Sequence, residues 1–319
     1  MTKLKSIKID RFRCFKRVEV PLGPLTVLVG PNDTGKSAFL DAIAYLGKGK
    51  KTAIVEDFHR RNANKFSIVG AVNGTESQYV CENHPSAGLR ETETHPIGVV
   101  SRFRLPTEGI QTVCDGFQGN EHSLNLMADG SRTAALFDHL LRTDLDRFMS
   151  CVERIRELVP GFEKLVIATP STSKREIELV VESGLKIPAS KSSAGVRLLL
   201  FFLALAYHPL PPDIVLLEEP ESGIHPKRLE HVMALLHLLS RGELGGKPAQ
   251  VILTTHSPYL LDFVDLDTDQ VLVFRREEDG SRVVQPADAE KFKNDFDGFM
   301  LGEVWFNERE EGLLGGGPK

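Results

Sequence analysis

The stretch from Leu25 to Tyr45, LTVLVGPNDTGKSAFLDAIAY, constrains the fold more than any other part of the chain. The uncharged run LTVLV predicts a strand buried on both faces. SAFLDAIAY has the apolar spacing and the residue types of a helix. Between them, Gly30-Pro31-Asn32-Asp33-Thr34-Gly35-Lys36-Ser37 matches G-x-x-x-x-G-K-[ST], in the strand–loop–helix setting that this pattern requires. Glycines let the backbone curl until successive N–H groups point inward, and the helix that begins around Ser37 and Ala38 adds its positive end. Lys36 supplies a point charge for β- and γ-phosphates, and the Ser37 hydroxyl supplies a ligand for Mg2+. The expected ligand is therefore ATP held with Mg2+. Asp33 stands where a small residue is more usual. The alternative is a glycine-rich turn that binds nothing, which leaves the lysine and the flanking elements unexplained.

LLEEPESGIHP, residues 216–226, places Glu218 and Glu219 at the end of a second apolar run. A metal-bound nucleotide needs hard oxygen ligands, and a carboxylate at the end of a neighbouring strand can give one. Hydrolysis also needs a group that orients and polarises the attacking water. Glu218 is the candidate for the metal shell and Glu219 for the water. Pro220 then ends the strand. Taken alone, the pair would read as a charged strand end facing solvent; the phosphate loop is what gives it a task.

The rest of the chain supports an α/β reading. LKSIKI and VEVPL read as strands ahead of the phosphate loop. Residues 48 to about 130 mix short alternating runs (FSIVGAV, SQYVC, GVVSRFRL) with Gly, Pro and Asn, which predicts an antiparallel β portion with long loops. Residues 133–159 have helical spacing. Leu141, Leu145, Phe148, Val152, Ile155 and Val159 form a heptad pattern, the mark of a helix packed on its own domain or of a short arm for a partner. KREIELVVE then predicts a strand and SSAGVRLLLFFLALAYH a buried helix. DIVLLEE, QVILTTH and DQVLVF read as parallel strands, with the helix HPKRLEHVMALLHLLS between the first two. Asp265, Asp267 and Asp269 read as a polar loop rather than a nuclease metal site.

Composition excludes several classes. The net charge of −5 gives no global field to recruit nucleic acid or an anionic membrane. Cys14, Cys81, Cys114 and Cys151 are scattered, with no C-x-x-C pair, which suits free thiols in a reducing cytosol. Cys81, His84, His95 and Cys114 fit no common zinc spacing. The N-terminus does not read as a signal peptide, and VRLLLFFLALA is about half of a membrane span. The expected setting is cytoplasmic, without a membrane. Lys48, Lys50, Lys51, Arg60, Arg61 and Lys65 cluster after the first helix. They are either a solvated loop or a surface for duplex DNA phosphates.

The order of motifs resembles the ATP-binding cassette (ABC) class of ATPases. It is most similar to the soluble RecF/SMC-like branch, including AAA-family ATPases related to OLD proteins. FRCFKRVEVPLGPLTVLVGPNDTGKSAFLDAI, LLEEPESGIHP and ILTTHSPYLLD carry the resemblance, which covers roughly residues 3 to 306. Glutamate at position 218, where the metal-site residue is commonly aspartate, resembles the OLD-related subset. The resemblance implies an α/β P-loop NTPase of ABC type, with a mixed sheet core, an antiparallel β portion and a helical lobe. It implies one domain over 1–306 with a helical lobe inserted at about 131–200, followed by a disordered tail, 307–319.

The resemblance also assigns residues. Ser193-Ala194-Gly195 stands where a signature binds the γ-phosphate of the opposite protomer, so Ser193 and Gly195 join the nucleotide-binding candidates. His256 matches the switch histidine beside the γ-phosphate. Arg13 or Phe15 would touch the nucleotide, and Gln111 or Gln118 would be the Q-loop glutamine. OLD-type nucleases carry a Toprim domain for which the stretch after His256 is too short, and the long coiled coils of chromosome-organising relatives are missing. The implied activity is ATP hydrolysis by a homodimer that forms on ATP binding. The implied setting is an anti-phage or toxin–antitoxin system with a separate effector protein. A DNA-repair or DNA-end ATPase that contacts duplex DNA itself is the second reading, and a nucleotide-binding scaffold with little hydrolysis the third.

Overall fold

The computed structural model describes residues 3–47, 53–59, 63–84, 86–106, 110–117, 124–278, 280–285 and 300–313. The chain opens with β1 (Leu4–Phe12), β2 (Phe15–Pro21) and β3 (Leu25–Val29), then α1 (Lys36–Tyr45). Five strands follow: β4 (Lys65–Val72), β5 (Thr75–His84), β6 (Gly88–Glu93), β7 (Val100–Arg104) and β8 (Val113–Asp115). Next come α2 (Thr133–Thr143), α3 (Leu145–Leu158), β9 (Phe162–Ala168), β10 (Lys174–Val181), β11 (Lys186–Pro188) and α4 (Ala194–Ala206). The last part holds β12 (Ile214–Glu218), α5 (Leu229–Arg241), β13 (Gln250–Thr255), α6 (Pro258–Leu261), β14 (Gln270–Glu277), β15 (Gly280–Val284) and α7 (Leu301–Leu313).

Two compact units divide these elements. The first comprises Met1–Arg102, Pro212–Glu219 and Gln250–Lys319; the second comprises Phe103–Pro211 and Pro220–Ala249.

In the first unit a sheet of order β15-β14-β3-β13-β12-β7 carries the site. β12, β13, β3 and β14 run parallel. β3 and β13 are buried along their whole length, as strands covered on both faces must be. Register sets the site: Glu218 pairs with Thr254, which pairs with Leu28, and Val29 pairs with both Thr255 and Val273. The ends of β12, β13 and β3 therefore deliver Glu219, His256 and Gly30 to one edge of the sheet, the carboxyl edge where ligands of α/β sheets bind. A second, antiparallel sheet has the order β2-β1-β4-β5-β6, and the alternating burial of β1 and β4 marks one covered face.

One core joins the two sheets of this unit. Phe39, Leu40, Ala42 and Ile43 of α1 are fully buried in a cluster that also holds Ile7, Phe12 and Phe66 of one sheet and Leu28, Ile252 and Phe274 of the other. Each of the larger side chains, Leu, Ile or Phe, contributes about 1.5–3 kcal/mol by leaving water. Phe15, Phe39 and Phe274 meet edge to face, with ring centroids 5.5 to 6.3 Å apart, so the helix that follows the phosphate loop is anchored on a rigid aromatic triad.

The second unit packs α4 among α2, α3 and α5, beside a small sheet of β8 to β11. Every residue from Leu198 to Ala206 is buried. A helix apolar on all sides finds its cover in protein, and no described helix is long and apolar enough to cross a membrane.

Four expectations change. GVVSRFRL was expected with the strands of the antiparallel portion; its strand β7 is instead an edge of the six-stranded sheet, beside β12. The heptad run is not one helix. Asp144 takes a non-helical conformation (φ −147°) and its side chain accepts a hydrogen bond from Arg147 N, capping α3. Phe148, Val152 and Ile155 are buried, whereas Leu141 and Leu145 are exposed, so the stripe breaks at the cap. The lobe expected as helical over 131–200 holds β9, β10 and β11 as well as helices, and it belongs to a unit that starts at Phe103. The tail expected to be disordered from 307 is helical to Leu313, whose side chain is fully buried; residues 314–319 lie outside the described residues.

Candidate functional site

The phosphate loop closes around its own lysine. Lys36 Nζ donates to Gly30 O at 2.6 Å and to Pro31 O at 2.8 Å, and Thr34 Oγ1 donates to Pro31 O at 2.8 Å. A Cβ on Gly30 would lie 2.5 Å from Phe274 O, and one on Gly35 would lie 2.6 Å from Cys14 Sγ; only glycine fits at either point. Asp33 has φ +61°. Aspartate tolerates this left-handed conformation better than most side chains, which accounts for its standing where a small residue is usual. α1 starts after Gly35 with no side-chain cap and no acidic residue in its first turn, so its positive end is left for an anion.

The loop forms one wall of a cavity of about 530 Å³, lined by Asn32, Asp33, Gly35, Lys36, Ser37 and Ala38. Glu219, Thr254 and Cys14 complete the lining. Burial pushes the Cys14 thiol above its usual range, more than Ser281 and the nearby arginines offset. Cys14 is therefore a wall and not a nucleophile.

The structure gives the two glutamates different surroundings. Glu218 Oε2 accepts from Ser37 Oγ at 3.3 Å, and Oε1 accepts from Arg102. Its side chain is 11% exposed, against 40% for Glu219. Glu219 turns away from the strand at φ +44°, with its amide donating to Thr254 O at 3.1 Å and Thr254 Oγ1 at 3.2 Å. A non-glycine residue in this region stores about 1–3 kcal/mol of strain. Glu219 Oε1 lies 3.4 Å from His256 Nδ1. A hydroxyl and a carboxylate oxygen thus face each other beside the phosphate loop, a hard donor set that suits Mg2+, while a second carboxylate, Glu219, lines the cavity with the imidazole beside it.

Behind the cavity runs a chain of ion pairs that the sequence did not reveal. Arg102 bridges Glu218 and Asp41, Arg13 bridges Asp41 and Asp57, and Tyr45 closes the series on Asp57. Burial by itself would raise the Asp57 carboxyl. The Tyr45 hydroxyl, the Ile54 amide and Arg13 more than offset that and hold it below the usual carboxylate range. Burial, then the hydrogen bond to Asp57, pushes the Tyr45 phenol well up, so it remains a donor.

Arg13 was expected to touch the nucleotide. Its guanidinium is committed to Asp41 at 2.5 Å and Asp57 at 2.8 Å, so its task is to hold α1. Phe15 is fully buried and belongs to the core. Ser193 caps α4 in the second unit, accepting from Val196 N at 3.4 Å. A Cβ on Gly195 would find Gly223 O no nearer than 3.7 Å. Gln111 is exposed in the second unit; Gln118, Lys48, Lys50, Lys51, Arg60 and Arg61 lie outside the described residues. Lys65 pairs with Glu82 at 2.6 Å. Asp265, Asp267, Thr268 and Asp269 bond among themselves in a turn between α6 and β14. Among the described residues no group of three or more His, Cys, Asp or Glu is gathered to hold a metal.

Residues 121–262 match the family described as "AAA domain, putative AbiEii toxin, Type IV TA system", and residues 2–95 match the AAA ATPase domain. The OLD nuclease of Thermus scotoductus is 25% identical over 98% of this chain and 70% of its own length. Together these matches support an ABC-type ATPase of the RecF/SMC/OLD-like kind. Another relative of this ABC-type chain is the DNA replication and repair protein RecF of Brucella abortus. It is 35% identical over 74 residues, 22% of this chain and 19% of RecF.

Solved structures agree on the ABC-type fold. The Smc head domain of Pyrococcus furiosus, with an extended coiled coil and bound to the C-terminal domain of ScpA, matches with a TM-score of 0.60 at 14% identity, over 93% of this chain and 99% of that one. The SMC head domain of Thermotoga maritima matches at 0.52 and 17% identity, over 90% and 100%. The architecture is that of an ABC-type P-loop NTPase, with a mixed sheet core, an antiparallel β portion and a helical lobe, as the motif order implied.

Proposed function

We propose that this protein is a Mg2+-dependent ATPase that closes as a homodimer on ATP and opens on hydrolysis. The observation that carries the reading is that one cavity is lined by the lysine-centred phosphate loop, Ser37 and Glu219, with Glu218 bonded to Ser37 and His256 3.4 Å from Glu219. Lys36 and the loop amides of residues 32–38 hold the phosphates. Ser37 and Glu218 hold Mg2+, which supplies charge neutralisation across the phosphates when bound. Glu219 accepts a hydrogen bond from the attacking water and polarises it, and His256, beside it, reaches toward the γ-phosphate. Ser193 and Gly195 at the head of α4 present the signature to nucleotide held by the second protomer, which makes the active state a dimer. The free cysteines suit a cytoplasmic setting.

The match to the AbiEii toxin family supports a place in an anti-phage or toxin–antitoxin system, beside a separate effector protein. The OLD nuclease and RecF relatives support DNA as a partner of the closed dimer. Titration with a fluorescent ATP analogue and Mg2+, against Lys36→Ala, tests the binding half of this reading. Wild type binds and Lys36→Ala loses most of the affinity; equal affinity in the two proteins would sink the assignment. Turnover with and without duplex DNA, at low and high salt, tests the partner.

A further inference from the structure

Arg102 pairs with the metal-side carboxylate, Glu218, and nothing in the nucleotide reading uses it. It lies in β7, the strand next to β12 in the six-stranded sheet. Its Nε is 2.5 Å from Glu218 Oε1, its Nη2 pairs with the same oxygen, and its Nη1 is 2.5 Å from Asp41 Oδ1. Asp41 and Glu218 are each only about a tenth exposed. The other oxygen of Asp41 is taken by Arg13, which Asp57 holds in turn. Arg102 therefore cannot turn to solvent without leaving the nearly buried Glu218 carboxylate with no cation and Asp41 with Arg13 alone, which a low-dielectric setting penalises.

Two consequences follow for Glu218. One oxygen is saturated by two donors of a rigid fork, so only Oε2, the oxygen facing Ser37, is left for a metal shell. Mg2+ accepts single-oxygen ligands in a small octahedral shell that keeps several waters, whereas Ca2+ prefers more oxygens and commonly a bidentate carboxylate. In addition, the two guanidinium groups of Arg102 and Arg13 offset most of the charge of Glu218, Asp41 and Asp57, so the series has little excess charge with which to hold a bare cation. We infer that Arg102 is a positioning residue that sets the metal preference of the nucleotide site: by occupying Glu218 Oε1 it limits the site to a divalent cation that arrives with nucleotide phosphates and accepts single-oxygen coordination, Mg2+ over Ca2+. The inference rests on the reading of the cavity as a Mg2+-nucleotide site.

The test measures binding of a fluorescent ATP analogue to the full chain across Mg2+ and Ca2+ concentrations, and binding of Mn2+ alone by electron paramagnetic resonance. In wild type, Mg2+ supports nucleotide binding better than Ca2+, and Mn2+ alone does not bind. Arg102→Gln should lose about tenfold in Mg2+-supported affinity, the scale of a lost partner behind a metal ligand. It should lose less with Ca2+, and it should take up Mn2+ without nucleotide. Arg102→Lys, a milder change that keeps the charge and loses the fork, should narrow the Mg2+/Ca2+ ratio yet still exclude bare Mn2+. It decides the matter if the glutamine variant does not fold. Nucleotide binding with an unchanged Mg2+/Ca2+ ratio in the variants overturns the role of Arg102 alone. A wild type that binds no nucleotide with any metal overturns the underlying reading instead.

Discussion

Asp57→Asn removes one charge from the ion-pair series that holds α1, and its cost can be worked from the contacts. Asp57 is fully buried and accepts from Tyr45 Oη at 2.6 Å, Arg13 Nε at 2.8 Å and Ile54 N at 3.0 Å. Asparagine keeps the shape but turns one acceptor into a donor, so one of these donors faces another. Breaking a buried ion pair from one side costs about 3–5 kcal/mol. Arg13 is 31% exposed and keeps Asp41, so the lower end applies, about 3 kcal/mol. At about 2–4 °C per kcal/mol, the midpoint should fall by about 6–12 °C at pH 7.

The pH dependence has a definite sign. The Asp57 carboxyl is held below its ordinary value in the folded protein, so its stabilisation is complete above the unfolded value of about 3.9 and fades as pH drops through the folded one. The gap between wild type and variant should be constant from about pH 7 to pH 5 and should close in more acid solution. Thermal unfolding followed by circular dichroism across that range is the assay. A midpoint shift under about 2 °C at pH 7, or a gap that widens in acid, would refute the reasoning.

Two further outcomes are expected. Gly30→Ala places a Cβ 2.5 Å from Phe274 O, a backbone atom that cannot yield cheaply, so the loop must shift and titration should show nucleotide binding lost; affinity equal to wild type would contradict the cradle. Ser193→Arg should block the ATP-driven rise in light scattering while leaving single-site nucleotide binding intact, because the serine acts on nucleotide held by the other protomer; undiminished dimerisation would remove Ser193 from the interface.

What was legible in the sequence was what lies close together along the chain or at a strand end. The phosphate loop spans eight consecutive residues, and its geometry is dictated by two glycines and a lysine that closes on its own loop. Glu218 and Glu219 were legible because a buried apolar run can end in charge only at an edge. Arg102 was not, because it sits in one of several short alternating runs with nothing local to mark it, and its partners Asp41 and Glu218 are 61 and 116 residues away. Arg13 was named with Phe15 as a nucleotide contact through the resemblance alone, when a carboxylate that pairs with it comes 44 residues later. Periodicity carried the heptad straight through Asp144, although an aspartate ahead of a helical run is also a cap signal, and the caps, not the stripe, set the helix boundaries.

ATP turnover by Glu219→Gln beside wild type, with nucleotide binding measured on the same samples, tests the central claim most directly. The amide keeps the size of the side chain and leaves Lys36, the loop amides and the Ser37–Glu218 pair untouched, so ATP should still bind. Loss of the carboxylate that polarises the water should lower turnover by about 10²-fold or more, and the ATP-closed dimer should accumulate in light scattering. Hydrolysis by Glu219→Gln at the wild-type rate would contradict the account and pass the catalytic role to a neighbouring carboxylate, Glu218 or Glu221.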